Sequence, residues 1–151
     1  MRSTPKWVSK QAVLAIHERL LAEHGGVPGL LDEGLLDAAL TSPKNHFAYE
    51  RADILRLAAA YAYALTQNHP FADANKRAAL TVAGVFMELN GFRLETSERD
   101  AAQATRALSS REIDEAKFAR WLRTCSSKLR AASRRKPRTA KTKRRKGPTK
   151  R

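Results

Sequence analysis

Cysteine is nearly absent: the 151 residues hold one, Cys125. A single thiol excludes an intrachain disulfide, and so the stapled scaffolds of small secreted domains, and it fits a reducing cytoplasm. Long apolar runs are absent too. The longest, 78–89, is interrupted by Thr81 and Glu88, which is too little to cross a bilayer, and the N-terminus shows no secretory apolar region. These absences point to a soluble, cytoplasmic protein with no membrane partner. The length suits one domain able to bury a core without disulfide or metal staples.

Acidic residues are missing from the last 23 positions. Residues 129–151 carry 12 Lys and Arg and no Asp or Glu, leaving 17 basic against 15 acidic residues before them. The formal net charge of +14 is therefore a property of the tail, and the body is nearly neutral. The tail also lacks aromatic and β-branched aliphatic side chains. It cannot bury enough apolar surface to offset its ordering entropy, which marks 129–151 as disordered and 1–128 as the folded domain. Dense positive charge of this kind suits nonspecific phosphate contacts with nucleic acid.

The folded part reads as all-α. Ser9 caps a helix over 10–24, with Val13, Ile16, Leu20 and Leu21 on its apolar face, and Gly25 and Gly26 end it. After the turn GGVPG, Asp32 caps a second helix that is expected to stop before Pro43. NHFAYER, 45–51, shows no helical period and is expected to form a small flap, with Tyr49 and Glu50 either bordering the active-site opening or on a solvated flap edge. Asp53 opens a third helix along Ile54, Leu57, Ala58, Tyr61 and Leu65. Residues 76–89 are apolar on almost every side, which predicts a buried, central helix stopped by Asn90 and Gly91. Thr96 or Ser97 starts a fifth helix and Asp114 a sixth, with Phe118, Trp121, Leu122 and Cys125 on one face. Cys125 is read there as an inert core thiol. The expected architecture is a compact bundle of about six helices with one flap and a disordered basic tail.

The stretch HPFADANKRAAL, 69–80, concentrates polar head groups at the mouth of the buried helix. Pro70 disfavours helical backbone at His69, so 69–74 reads as a loop that feeds a helix at about Asn75. The first turn of that helix offers unpaired N–H groups and the positive end of the helix dipole, a site for phosphate. Lys76 and Arg77 stand in this turn, where positive charge opposes helix stability and favours gripping a polyphosphate. Asp73 supplies a hard oxygen ligand for Mg²⁺ beside those phosphates. His69 is placed to take a proton from an incoming hydroxyl. Asn75 either donates to a phosphate oxygen or pins the loop, and Phe71 anchors the loop in the core. Base, metal ligand and phosphate grips together describe phosphoryl or nucleotidyl transfer. His17 and His46 lack spacing partners for a metal site and read as surface or packing residues.

HPFADANKR resembles the signature of the Fic/Doc superfamily, and its Doc branch more closely. Fic-type AMP transferases carry Gly–Asn–Gly–Arg where this chain has Ala74, Asn75, Lys76 and Arg77. HGGVPGLLDEGLLDAAL over 24–40, NHFAYE and the closing FARWLR are similar to Doc proteins as well, so the likeness covers roughly residues 7–128. The resemblance implies a Fic-like fold of about six helices and the toxin of a toxin–antitoxin module. It implies transfer of the γ-phosphate of ATP to a threonine of elongation factor Tu, which stops translation. By position it makes His69 the general base, Asp73 the Mg²⁺ ligand, and Asn75, Lys76 and Arg77 the phosphate grips. Lys76 in place of glycine would obstruct the phosphate pocket of AMP transferases. The built-in inhibitory motif of many Fic proteins, Ser/Thr-x-x-x-Glu-Gly/Asn, is not found, which implies inhibition by a separate Phd-like antitoxin. Two other readings stay open at this point: an AMP transferase on the same fold, and a non-catalytic nucleic-acid-binding protein acting through its tail.

Overall fold

The computed structural model of the chain describes residues 3–129. The basic tail expected from residue 129 onward therefore lies outside the described residues, apart from Leu129. The elements are α1 (Lys10–His24), α2 (Glu33–Glu50), α3 (Ile54–Asn68), α4 (Asn75–Leu89), β1 (Phe92–Leu94), α5 (Glu98–Ser109), α6 (Glu115–Thr124) and β2 (Ser126–Lys128). The six-helix bundle is as the sequence predicts. Among the described residues no helix is long and apolar enough to cross a membrane.

The helix starts are chemically explicit. Ser9, Asp32, Asp53, Ser97 and Asp114 each accept a hydrogen bond from the backbone N–H three residues on, a cap that contributes about 1 kcal/mol per helix. The exception is α4, whose N-cap is Ala74 and has no side-chain cap. That exception falls at the motif.

The hub of the bundle is α3 rather than α4. It packs against α2, α4, α5 and α6 and buries ten of its fifteen residues. Ala58, Ala59, Ala60, Ala62 and Ala64 are all buried, and such small side chains let neighbouring helices approach from several directions. The helix α4 is also deeply placed, between α1, α3, α5 and β1, but Glu88 and Leu89 reach solvent. An N-terminal arm is strapped onto this core. Trp7 stacks on Phe86 with centroids 5.8 Å apart, and the buried Tyr61 hydroxyl accepts the Val8 N–H at 3.1 Å.

Three further expectations need correction. The second helix does not stop before Pro43, and 45–51 is not a flap: α2 runs on to Glu50, and Arg51 caps it in the left-handed conformation. The reason is burial. Leu36, Leu40, Pro43 and Phe47 continue one helical stripe, with Leu36, Leu40 and Pro43 buried and Phe47 packed on Trp7. Packing of that stripe outweighs the lost backbone hydrogen bond of an internal proline. Glu50 therefore sits on the last turn of a helix, where His46 contacts it at 2.6 Å. Cys125, expected on a helix face, is the half-buried C-cap of α6; its thiol donates to the Trp121 carbonyl, and burial pushes its pKa up. The strand content lies in an antiparallel ribbon, Phe92↔Lys128 to Leu94↔Ser126.

Candidate active site

The loop between α3 and α4 is built from both ends. His69 closes α3 with left-handed backbone (φ 50°, ψ 55°), because Pro70 bars it from the right-handed helical region. Ala74 opens α4, also left-handed at φ 65°. Between them Phe71 is buried to 1% exposure and pins the loop as expected. Asn75 decides between its two possible roles in favour of pinning: its carboxamide accepts from the Phe71 N–H at 3.0 Å and donates to the Phe71 carbonyl at 2.9 Å.

A second loop, 25–32, lies along the first. The Leu31 N–H donates to the Pro70 carbonyl at 2.8 Å, the Ala72 N–H to the Gly29 carbonyl at 3.0 Å, and Leu30 and Phe71 form an antiparallel bridge. The Val27 N–H donates to Asp73 Oδ2 at 3.0 Å, and the Ala74 N–H to Asp73 Oδ1 at 2.8 Å. These two donors lead in holding the Asp73 carboxyl below the ordinary carboxylate range, with smaller help from His17 and Arg77. Asp73 is thus a preformed, exposed carboxylate rather than the cap of α4.

Because Ala74 provides no cap and the first intrahelical bond runs from the Ala78 N–H to the Ala74 carbonyl, the N–H groups of Asn75, Lys76 and Arg77 have no partner among the described residues. Neither Lys76 nor Arg77, both exposed, forms an ion pair there. His69 is exposed, and its imidazole makes no hydrogen bond among the described residues. All five predicted residues line one cleft of about 1060 Å³, its far wall formed by Thr96, Ser97 and Arg99 at the start of α5. Among the described residues, the structure brings His69, Lys76 and Arg77 to this cleft with unbonded side-chain polar atoms, Asp73 with one N–H on each carboxylate oxygen, and Asn75 with its side chain committed to the loop.

A nucleotide fits what is present. The uncapped N–H groups and two cations offer donors to phosphate oxygens, and the cleft is at the upper end of small-molecule sites. Each Asp73 oxygen accepts one N–H and keeps a lone pair for a hard cation. Among the described residues no group of three or more His, Cys, Asp or Glu is placed to hold a metal, so a divalent cation here would be shared between Asp73 and the phosphates.

Sequence reasoning missed the buttress. GGVPG reads only as a turn, yet it carries the Val27 donor that helps set Asp73. His17 reads as a packing or surface residue, yet its Nε2 lies 2.9 Å from the Asp73 carbonyl oxygen and its ring stacks on Phe71. A signal was available: His17 falls between Val13 and Leu20 on the buried stripe of α1, at helical spacing.

Known proteins share this arrangement of sequence. The Fic/DOC family model matches residues 7–87. The chain is 32% identical over 117 residues to the protein kinase doc of Escherichia phage P1, spanning 77% of this chain and 92% of that protein. It is 39% identical over 74 residues to the toxin Doc of Mycolicibacterium smegmatis, spanning 46% of this chain and 55% of that one.

Proposed function

The chain belongs to the Fic/DOC family, on its Doc branch, and from that premise we propose that it is a toxin that transfers the γ-phosphate of ATP to a protein hydroxyl. The observation that carries this reading is the uncapped start of α4, with Lys76 and Arg77 forming no ion pair among the described residues beside a preformed Asp73 carboxylate. The relatives' names, a protein kinase and a toxin, support it. The proposed acceptor is a threonine of elongation factor Tu, and the proposed regulator a Phd-like antitoxin from the same module.

In this reading the first-turn N–H groups of α4, Lys76 and Arg77 hold the phosphate oxygens and the charge that spreads over them as the phosphoryl group moves. Asn75 keeps the loop in shape. Asp73 would hold Mg²⁺, whose charge, when bound, offsets that of the phosphates. The acceptor oxygen attacks the γ-phosphorus, the bond from that phosphorus to the bridging oxygen of ADP breaks, and the hydroxyl proton passes to His69. Lys76 occupies the place where AMP transferases carry glycine, which argues against the ATP pose that would transfer AMP.

The test combines purified protein, elongation factor Tu, Mg²⁺ and ATP labelled at the γ- or the α-phosphate, with His69→Ala in parallel. Label from the γ-position alone should reach the factor, and the variant should lose at least about 10²-fold in rate. Transfer of α-label would make the protein an AMP transferase. No transfer from either position, with folded protein, would overturn the reading.

A further inference from the structure

We propose, on the phosphate-transfer reading above, that His17 of α1 is a positioning residue that holds Asp73 in place through its main chain. The histidine is 5% exposed on a helix face otherwise buried through Val13 and Leu20. A leucine would also suit a buried position on that face. What leucine lacks is a donor, and the Nε2 of His17 lies 2.9 Å from the Asp73 carbonyl oxygen. A carbonyl oxygen only accepts, so the tautomer is set: Nε2 carries the hydrogen and donates it.

The same ring lies flat on Phe71, with centroids 3.8 Å apart and planes 9° from parallel. Phe71 is tied at both its N–H and its carbonyl to Asn75, the first residue of α4. His17 thus grips the loop at two points, its middle through Phe71 and its end through Asp73. The Val27 N–H, on the loop that follows α1, grips the Asp73 carboxylate itself at 3.0 Å. Asp73 is held at its main chain by α1 and at its side chain by the loop that leaves α1. The peptide that follows leads into Ala74 at φ 65°, which aims the open N–H groups of α4. Rotation of the Asp73 carbonyl would therefore move the carboxylate and those donors together.

Two variants separate the donor from the stack. His17→Gln keeps an N–H near the position of Nε2 and loses the ring, whereas His17→Phe keeps the ring and loses the donor. In the Phe variant the Mg²⁺ concentration for half-maximal transfer should rise about tenfold, the loss typical when a group supporting a metal ligand is removed. Its kcat at saturating Mg²⁺ should change by less, and the Gln variant should recover most of the difference. A folded Phe variant with wild-type Mg²⁺ dependence, or equal losses in both variants, would overturn the proposal. Should the Phe variant fail to fold, the Gln variant decides alone: near-wild-type behaviour supports the donor role and impairment sinks it.

Amide hydrogen exchange at Val27 and Ala74 reads the same contact without catalysis. Exchange about tenfold faster in the Phe variant, as expected when local opening becomes easier, supports the proposal, and unchanged rates overturn it. If the wild-type protein transfers no phosphate, the proposed function falls while exchange still decides on His17.

Discussion

Gly26 shows how tightly single residues are specified around Asp73. Its backbone is at φ +129°, and a Cβ placed there would meet Asp73 Oδ2 and Leu21 Cδ2, each at 2.9 Å. The leucine end can swing aside. The carboxylate cannot without leaving the N–H of the neighbouring Val27. Gly26→Ala is therefore expected to lose about 1–3 kcal/mol, from strained backbone and the displaced carboxylate together, and to weaken Mg²⁺-dependent transfer. Gly84 provides the control, since it lies within α4 and a methyl group added there would meet nothing within 4 Å. Gly84→Ala should gain about 0.5–1 kcal/mol by helix propensity alone. Denaturant unfolding of the two variants reads the contrast directly, and equal behaviour would show that the Gly26–Asp73 contact is unimportant.

At the scale of elements, α3 does the organising. Its C-terminus presents His69, its flank carries the alanines that admit its neighbours, and its centre holds the N-terminal arm through Tyr61. That hydroxyl is fully buried and accepts the Val8 N–H. Tyr61→Phe would leave a buried N–H without a partner, so a loss of about 1–3 kcal/mol at neutral pH is expected. Burial also raises the Tyr61 pKa above its ordinary 10.0. A group whose folded pKa is raised contributes stability that is fully present below the unfolded value and is lost as pH rises through the folded one. Wild-type stability should accordingly fall as pH climbs above about 10, and part of that fall should vanish in Tyr61→Phe. Melting curves of both proteins across the alkaline range provide the measurement; parallel curves would contradict it. The ends of α2, α3 and α6 are joined by a separate cluster, in which Arg56 donates to Glu115 at 3.2 Å and His46 contacts Glu50 at 2.6 Å. It fixes the far end of α2 in place of the expected flap.

At the scale of the whole molecule, net charge is segregated along the sequence. Residues 1–128 are near neutral while residues 129–151 hold 12 cations, so binding to a polyanion and the proposed phosphate transfer should be separable functions. Truncation after Lys128 is expected to leave the proposed transfer to elongation factor Tu within about twofold and to abolish any retention on a nucleic-acid column at low salt, because such retention depends on phosphate contacts. Equal retention of the truncated and full-length proteins would move the basic surface onto the domain.

What the sequence determined by itself is everything written in short-range chemistry. Ser9, Asp32, Asp53 and Asp114 mark helix starts because a cap acts over three residues, and α4 begins at Asn75 because Pro70 and the apolar run after Ala74 leave little choice. The cluster His69, Asp73, Lys76 and Arg77 is legible for the same reason: nine consecutive residues carry it. Tertiary structure alone decided the rest. Pro43 stays inside a helix because its burial with Leu36 and Leu40 outweighs a local rule. Val27 and His17 reach Asp73 across 46 and 56 residues of chain. Spacing marks His17 as buried but names no partner for it or for Val27, because the contacts exist only once α1 has packed against α4 and brought its closing loop beside the motif.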